Sequence, residues 1–411
     1  MKQSIFDTLV LPNGIELPNR LAKAAMEENM AECGHLPGES IFKLYKTWSS
    51  GGAGLLITGN VMVDHRAMTG PGGIVLESNT PLESFKQWSK AGTQNNTHIW
   101  MQINHPGRQV YAAMGGQVLS PSDIALDMGK HSKLFGQPSP MTEDDIINLI
   151  QRFATTASRA IEAGFNGVQI HAAHGYLLSQ FLSPLTNQRT DQWGGSLDNR
   201  ARLLYEVVKA IKSKLPDSAA VSVKLNSADF QRGGFDADDA LQVVKELGKL
   251  NVDLVELSGG SYESPAMQGN TADGRTLKRE AYFLQFAKEI AKVAPMPIMT
   301  TGGIIRLPVA QEVIDEGVSM VGIGRALAFS PALPNLWKTA PEVKAVLPEV
   351  KWKDKTISAI ATMAITKRQL QRMGKGKAPK LNASPVFSLI ADQLRLKKLT
   401  KSYRKRYYKA S

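Results

Sequence analysis

The sequence predicts an α/β protein, a closed (β/α)8 TIM barrel with a basic helical tail appended to it. Short apolar runs alternate eight times with segments of helical periodicity. Nearly every run is apolar at consecutive positions, as a strand covered on both faces requires. An open doubly wound sheet would more usually stop at roughly five or six strands. With 411 residues, 43% of them hydrophobic, the chain has the length and apolar content for one such barrel.

The first strand is expected at 20–26, followed by a helix over 39–50 in which Ile41, Leu44, Tyr45 and Trp48 recur at helical spacing. Residues 54–58 read as the second strand, 82–94 as its helix and 99–104 as the third strand. The stretch 106–140, rich in Gly, Ser and Pro, reads as an elaborated loop. Thr142, followed by Glu143, Asp144 and Asp145, is an N-cap with acids in the first turn, and its helix runs to Ala163 before Gly164. The fourth strand, 167–171, is short, apolar and flanked by glycines, and a helix follows from near Leu197 to about Leu215. The later rounds are 219–225 with 238–250, 253–258 with 280–293, 297–301 with 307–316, and a last strand at 320–323. No strand follows residue 340, so residues 1–340 form the barrel and 341–411 an extension, in which 356–366 has the composition of a helix packed back on it.

The mouth of a βα barrel lies at the C-terminal ends of its strands, and ligands bind there. In this chain those ends hold the polar and small residues: Ala24 to Glu27, Thr58 to Asn60, Gln102, Asn104 and His105, then His171, His174 and Tyr176, then Lys224 and Asn226. Strands seven and eight end in Thr301-Gly-Gly303 and Gly322-Ile-Gly-Arg325. Barrels often hold a phosphate after these two strands, and Gly302, Gly303 and Gly324 allow close backbone approach while Arg325 adds a charge-assisted contact. A phosphate on one side of the mouth with Gln, Lys and His on the other suits a phosphorylated heteroaromatic cofactor such as flavin mononucleotide. Gln102 matches the amide-like edge of its pyrimidine, and Lys224 the negative charge that builds near N1 and O2 on reduction.

Four stretches in order then resemble the Old Yellow Enzyme family of NAD(P)H:flavin oxidoreductases, over roughly residues 1–335. They are Leu17-Pro-Asn-Arg20 with Ala25-Met26, Gln102-Ile-Asn-His-Pro-Gly-Arg108, the long run from His171 to Arg200, and Gly322 to Arg325. The resemblance implies an ene-reductase with FMN as cofactor and NADPH or NADH as reductant. It implies FMN contacts from Ala25, Met26, Gly59, Gln102, Lys224, Gly302, Gly303, Gly324 and Arg325. His171 and His174 match the pair that binds the substrate's carbonyl oxygen, Tyr176 matches the proton donor, and the expected substrate is an α,β-unsaturated carbonyl or nitro compound. The chain departs from the pattern in three ways. Glu27 stands beside the flavin where many members have Thr or Cys, Lys224 replaces the usual Arg, and the cysteine-rich iron–sulfur motif of the two-domain relatives is absent.

Blander readings stand beside these. The histidines fit a structural pair or two zinc ligands, although no third ligand is placed for zinc. Tyr176 fits a packing residue and Tyr262 either a pocket roof or a loop aromatic, while Lys224 fits a structural ion pair, for instance with Asp229. Arg189, Asp191, Asp198 and Arg200 read as loop-anchoring charges. A tRNA dihydrouridine synthase-like FMN enzyme would need a cysteine acid in a mid-barrel loop, but the single cysteine, Cys33, follows strand one. A flavin-binding barrel with a sensor role and a flavin-free aldolase using Lys224 are the other rivals.

One cysteine leaves no intrachain disulfide. No secretory h-region or spanning apolar run is seen, so the expected location is cytoplasmic. A homo-oligomer is left open. The net charge of +12 is a property of the tail: residues 351–411 hold 17 of the 49 Lys and Arg but two of the 37 acids, leaving 32 bases against 35 acids elsewhere. Its bases interleave with Tyr403, Tyr407 and Tyr408, a pattern that suits nucleic acid or an anionic membrane. The favoured expectation is nonetheless a solvated or disordered end.

Overall fold

A computed structural model of the chain describes residues 3–268 and 280–408. Met1, Lys2 and Lys409, the last base of the tail, lie outside the described residues, as does 269–279. Eight parallel strands, β1 (Leu21–Lys23), β2 (Leu55–Ile57), β3 (His98–Asn104), β4 (Gly167–Ala172), β5 (Ala220–Asn226), β6 (Leu254–Ser258), β7 (Ile298–Thr300) and β8 (Met320–Ile323), pair in sequence order. The ring closes where Val321 of β8 pairs with Leu21 of β1. Around it lie α1 (Glu39–Ser49), α2 (Glu83–Gly92), α3 (Glu143–Glu162), α4 (Leu197–Lys212), α5 (Ala237–Lys249), α6 (Leu284–Ala291), α7 (Leu307–Asp315) and α8 (Leu333–Thr339).

Local chemistry sets the element ends. Thr142 and Asp145 form a reciprocal capping box that opens α3, each side chain bonding the other's backbone N–H. α6 starts four residues later than the sequence suggests, because Glu280 is held elsewhere: its carboxylate accepts from the Ile305 N–H at 2.8 Å and from Arg306 at 2.6 Å. β1 is shorter than expected, since its pairing ends at Ala24 and the chain then turns into the mouth. The stretch 106–140 holds a short pair, Leu119–Ser120 with Ser139–Pro140, and is tied across the mouth by a buried Arg108–Glu263 salt bridge of 2.7 Å.

Alternation along each strand divides inside from outside. The inward residues begin as an apolar floor of Leu55, Trp100, Ala220, Leu254 and Met320, packed with Leu9, Leu11 and Leu17 of an N-terminal hairpin. One layer higher, Gln102, Gln169 and Glu256 are fully or almost fully buried. The barrel therefore runs from an oily bottom to a polar mouth.

After α8 come α9 (Lys355–Gly374), packed on α1, and α10 (Pro385–Tyr407), packed on α9. The expectation of a solvated or disordered end is corrected over its described part: the basic segment is a docked helix. Arg395 donates to the Asn29 carbonyl, and the Tyr403 hydroxyl donates to the His65 carbonyl at 2.7 Å. The Tyr407 ring stacks on His35 with centroids 5.5 Å apart. The tyrosines among the bases act as anchors, which is why charge alone did not foretell a docked helix. Among the described residues no helix is long and apolar enough to cross a membrane.

Candidate active site

β4 delivers His171 at the mouth, where the chain reverses through two consecutive left-handed residues, His174 (φ 62) and Gly175 (φ 72). A Cβ at Gly175 would lie 2.9 Å from Ser261 Cβ, so glycine is required there. The turn brings three rings together: His171 meets His174 at 5.1 Å and Tyr176 at 4.8 Å between centroids, both edge-on. The His174 N–H donates to Asn226 Oδ1 at 3.1 Å, and its Nε2 lies 2.7 Å from Ser258 Oγ.

Both imidazoles are neutral. Burial holds each well below the ordinary histidine value, and the nearby Lys224 charge adds to this. His171 Nδ1 accepts from the Ala173 N–H at 3.3 Å, so its proton sits on Nε2, available to a ligand oxygen. The Tyr176 hydroxyl lies 3.1 Å from that of Tyr262. Burial, followed by the Glu27 carboxylate, pushes the Tyr176 phenol upward, so it keeps its proton at any working pH. Burial, then Glu27, also lifts Tyr111, to about 12. Glu27 faces these phenols and accepts from Thr69 Oγ1 at 2.5 Å.

Below this cluster runs a buried polar chain across four strands, β3 to β6. Gln102 Nε2 donates to Gln169 Oε1 at 2.7 Å, Gln169 Nε2 to Glu256 Oε2 at 2.9 Å, and Lys224 Nζ to Glu256 Oε1 at 2.8 Å. Lys224 is thus ion-paired with Glu256, while Asp229 accepts from Asn226 and the Phe235 N–H. Sequence reasoning passed over Glu256, although an acid at the centre of an otherwise apolar strand is a visible signal of a buried partner. Across the mouth, Gly302 and Gly303 have φ of 126 and 70, and a Cβ at Gly303 would lie 2.5 Å from the Tyr282 ring. A Cβ at Gly324 would meet open space, with Arg325 beside it on the surface. Gly59 is fixed from behind, where its N–H donates to Glu28 Oε1 at 3.1 Å.

The chain matches the NADH:flavin oxidoreductase / NADH oxidase family over residues 4–341. It belongs to that family. Among its relatives is an NADH-dependent flavin oxidoreductase of Hypocrea jecorina, 37% identical over 360 residues that cover 82% of this chain and 89% of the relative. Another, from Neonectria sp., is 36% identical over 381 residues, which are 87% of this chain but half of that longer protein. An Old Yellow Enzyme homologue from Zymomonas mobilis superimposes with a TM-score of 0.71 at 26% identity, covering 84% of this chain and 95% of that one. Morphinone reductase shares the fold at a TM-score of 0.70 and 23% identity, over 85% and 92% of the two chains.

As a member of the Old Yellow Enzyme family this chain is an FMN oxidoreductase reduced by a nicotinamide. Its own donors fit that cofactor. Asn104, one inward step above Gln102, is fully buried with neither amide atom partnered among the described residues, a donor and an acceptor that match a polar ring edge. The open backbone at Gly324, the left-handed Gly302 and Gly303 and the cation of Arg325 suit a phosphate. The rivals lose ground on the same observations. Lys224 is ion-paired rather than a free amine, and Cys33 is exposed on the rim with Sγ 3.7 Å from Arg406.

The buried histidines make a prediction about acid. His171 and His174, which burial holds well below the ordinary value, and His105, which burial brings down to about 4, are neutral when folded but protonate near 6.5 when unfolded. A depressed histidine stabilises above its unfolded value and is lost as pH falls, by about 1.4 kcal/mol per pH unit for each group. Glu28 and Asp229, raised by burial, act in the opposite sense at lower pH, and Asp64 holds to about 2, where the hydrogen bonds from Arg66 outweigh its burial. Thermal midpoints measured downward from pH 7 should fall from near pH 6.5. A flat profile down to pH 5 would contradict the neutral assignment.

Proposed function

We propose that this chain reduces the activated C=C bond of α,β-unsaturated carbonyl or nitro compounds, taking a reduced nicotinamide and then the alkene at the same face of the mouth. The observation that carries the reading is the convergence of two neutral imidazoles and one protonated phenol, with the His174 and Tyr176 rings both within 5.1 Å of His171 between centroids. His171 and His174 donate hydrogen bonds to the substrate's oxygen, drawing electron density from the β-carbon. Tyr176 then gives its proton to the α-carbon. FMN held in the mouth would supply the hydride chemistry, with the reduced nicotinamide as the source of the electron pair. In this reading Gln102, Lys224, Ala25, Met26, Glu27 and Gly59 hold the flavin ring, and Gly302, Gly303, Gly324 and Arg325 its phosphate.

The NADH-dependent naming of the fungal relatives favours NADH over NADPH as the reductant. The purified protein is expected to be yellow, to bleach with NADH under anaerobic conditions and to regain its colour on addition of cyclohexenone. Bleaching without recovery by either cyclohexenone or a nitroalkene would overturn the proposed substrate class while leaving the flavin assignment standing.

A further inference from the structure

α10 changes character along its length. Its C-terminal half docks through Leu399 beside Gly72 and through Tyr403, Tyr407 and Tyr408 on a small cluster with Met62, Met68 and Met114, whereas its N-terminal half turns polar groups inward: Ser388 and Asp392 are buried and Arg395 donates to the Asn29 carbonyl. In that N-terminal half four large apolar side chains face solvent, with Val386 55% exposed, Phe387 59%, Ile390 55% and Leu394 66%. Residues 386, 390 and 394 are four apart and share one stripe. Continued toward the C-terminus, that stripe becomes basic through the exposed Lys397, Lys398, Lys401 and Lys405. Arg368, Arg372, Lys375 and Lys377 line the same groove beside α9 as Phe387, and the Arg368 guanidinium lies 4.6 Å over its ring.

We propose that this face docks the protein on an anionic lipid surface. Exposed aliphatic and aromatic side chains on one helical stripe, framed by lysines and arginines, are what the boundary between headgroups and acyl chains accepts: apolar groups sink in while bases stay with the phosphates. A second copy of the chain fits less well, because an isologous contact would set a segment of 17 bases and two acids against itself. Nucleic acid would use the bases but leave four large apolar side chains unburied. No described helix is able to span a bilayer, so the mode is surface attachment. The sequence motif pointed to charge; the orientation of α10 adds the apolar half of the contact.

The test is flotation of the full-length, FMN-loaded protein with vesicles of phosphatidylcholine alone or mixed with phosphatidylglycerol, at low and high salt. The expected result is flotation with the mixed vesicles, weakened by salt and absent with phosphatidylcholine alone. Ile390→Ser with Leu394→Ser should lower partitioning about tenfold or more, and Lys397→Glu with Lys398→Glu and Lys401→Glu should abolish it. Both variants change exposed positions and should keep their colour, melting temperature and reductase rate. Failure of the unaltered protein to float, or flotation indifferent to both variants, would overturn the proposal. So would a dimer in light scattering that Ile390→Ser with Leu394→Ser dissolves, or a salt-sensitive shift of RNA or duplex DNA without vesicle binding.

Discussion

Replacing Tyr176 with Phe is expected to slow reoxidation of the reduced protein by cyclohexenone by about 10²–10⁴-fold, the range for loss of a positioned general acid. The rate of bleaching by NADH should stay unchanged, because no proton from Tyr176 enters that half-reaction. The phenol sits edge-on to His171 at 4.8 Å between centroids, so phenylalanine preserves the packing. What is lost is one O–H, held by burial and by Glu27 in its protonated state and lying 3.1 Å from Tyr262. Stopped-flow traces of the two half-reactions separate the roles. Equal slowing of both would make Tyr176 a packing residue, and rescue of the variant by an acidic buffer would support its role as donor.

Lys224→Met should destabilise the protein by about 3–5 kcal/mol, the usual result of stripping one partner from a buried ion pair. The side chains of Lys224 and Glu256 are 5% and 0% exposed, and the only other described side chain on the Glu256 carboxylate is Gln169. Without the lysine, Glu256 must either remain charged in the barrel interior or take up a proton. A drop of this size appears as a lower urea midpoint, measured with and without added FMN. Lys224→Met combined with Glu256→Gln should recover most of the stability, since no unpaired charge remains. If the double variant is as unstable as the single one, the loss comes from packing. If the single variant keeps its midpoint, the pair does not carry the stability assigned to it. Flavin affinity read in the stable double variant then reports what Lys224 contributes to the ring beyond its structural role.

The barrel was legible because its strands announce themselves. Ile298–Thr300 and Met320–Ile323 are apolar runs between glycines or prolines, and covered strands have few other places to lie. Thr142 with Asp145 signalled the start of α3 through chemistry confined to one turn. Contacts across long stretches of chain were harder to see. The partner of Lys224 lies on the neighbouring strand, in a register that no local pattern specifies. The short helix Leu177–Leu182 was hidden because all six of its residues are buried and so show no period. In the tail, periodicity misleads over the first half of α10, where Val386, Ile390 and Leu394 turn outward, so a reading that assigns apolar residues to the interior places that half wrongly. For the mouth, the residue types at strand ends were readable, whereas tautomers and the phenol beside Tyr176 depend on loops that meet only after folding.

The hold of α10 on the rim carries a consequence for assembly. Tyr403 reaches a carbonyl 338 positions earlier, and Arg395 one 366 positions earlier. β1 likewise waits for β8 before its second edge is covered. During synthesis the first strand therefore emerges with an open ladder that nothing can fill until nearly the whole barrel has left the ribosome, and the mouth loops gain their brace later still. Such distant pairings make closure slow and leave a sticky edge in the interval. The rim helix is the last latch to engage, and maturation of the mouth becomes an event that follows translation.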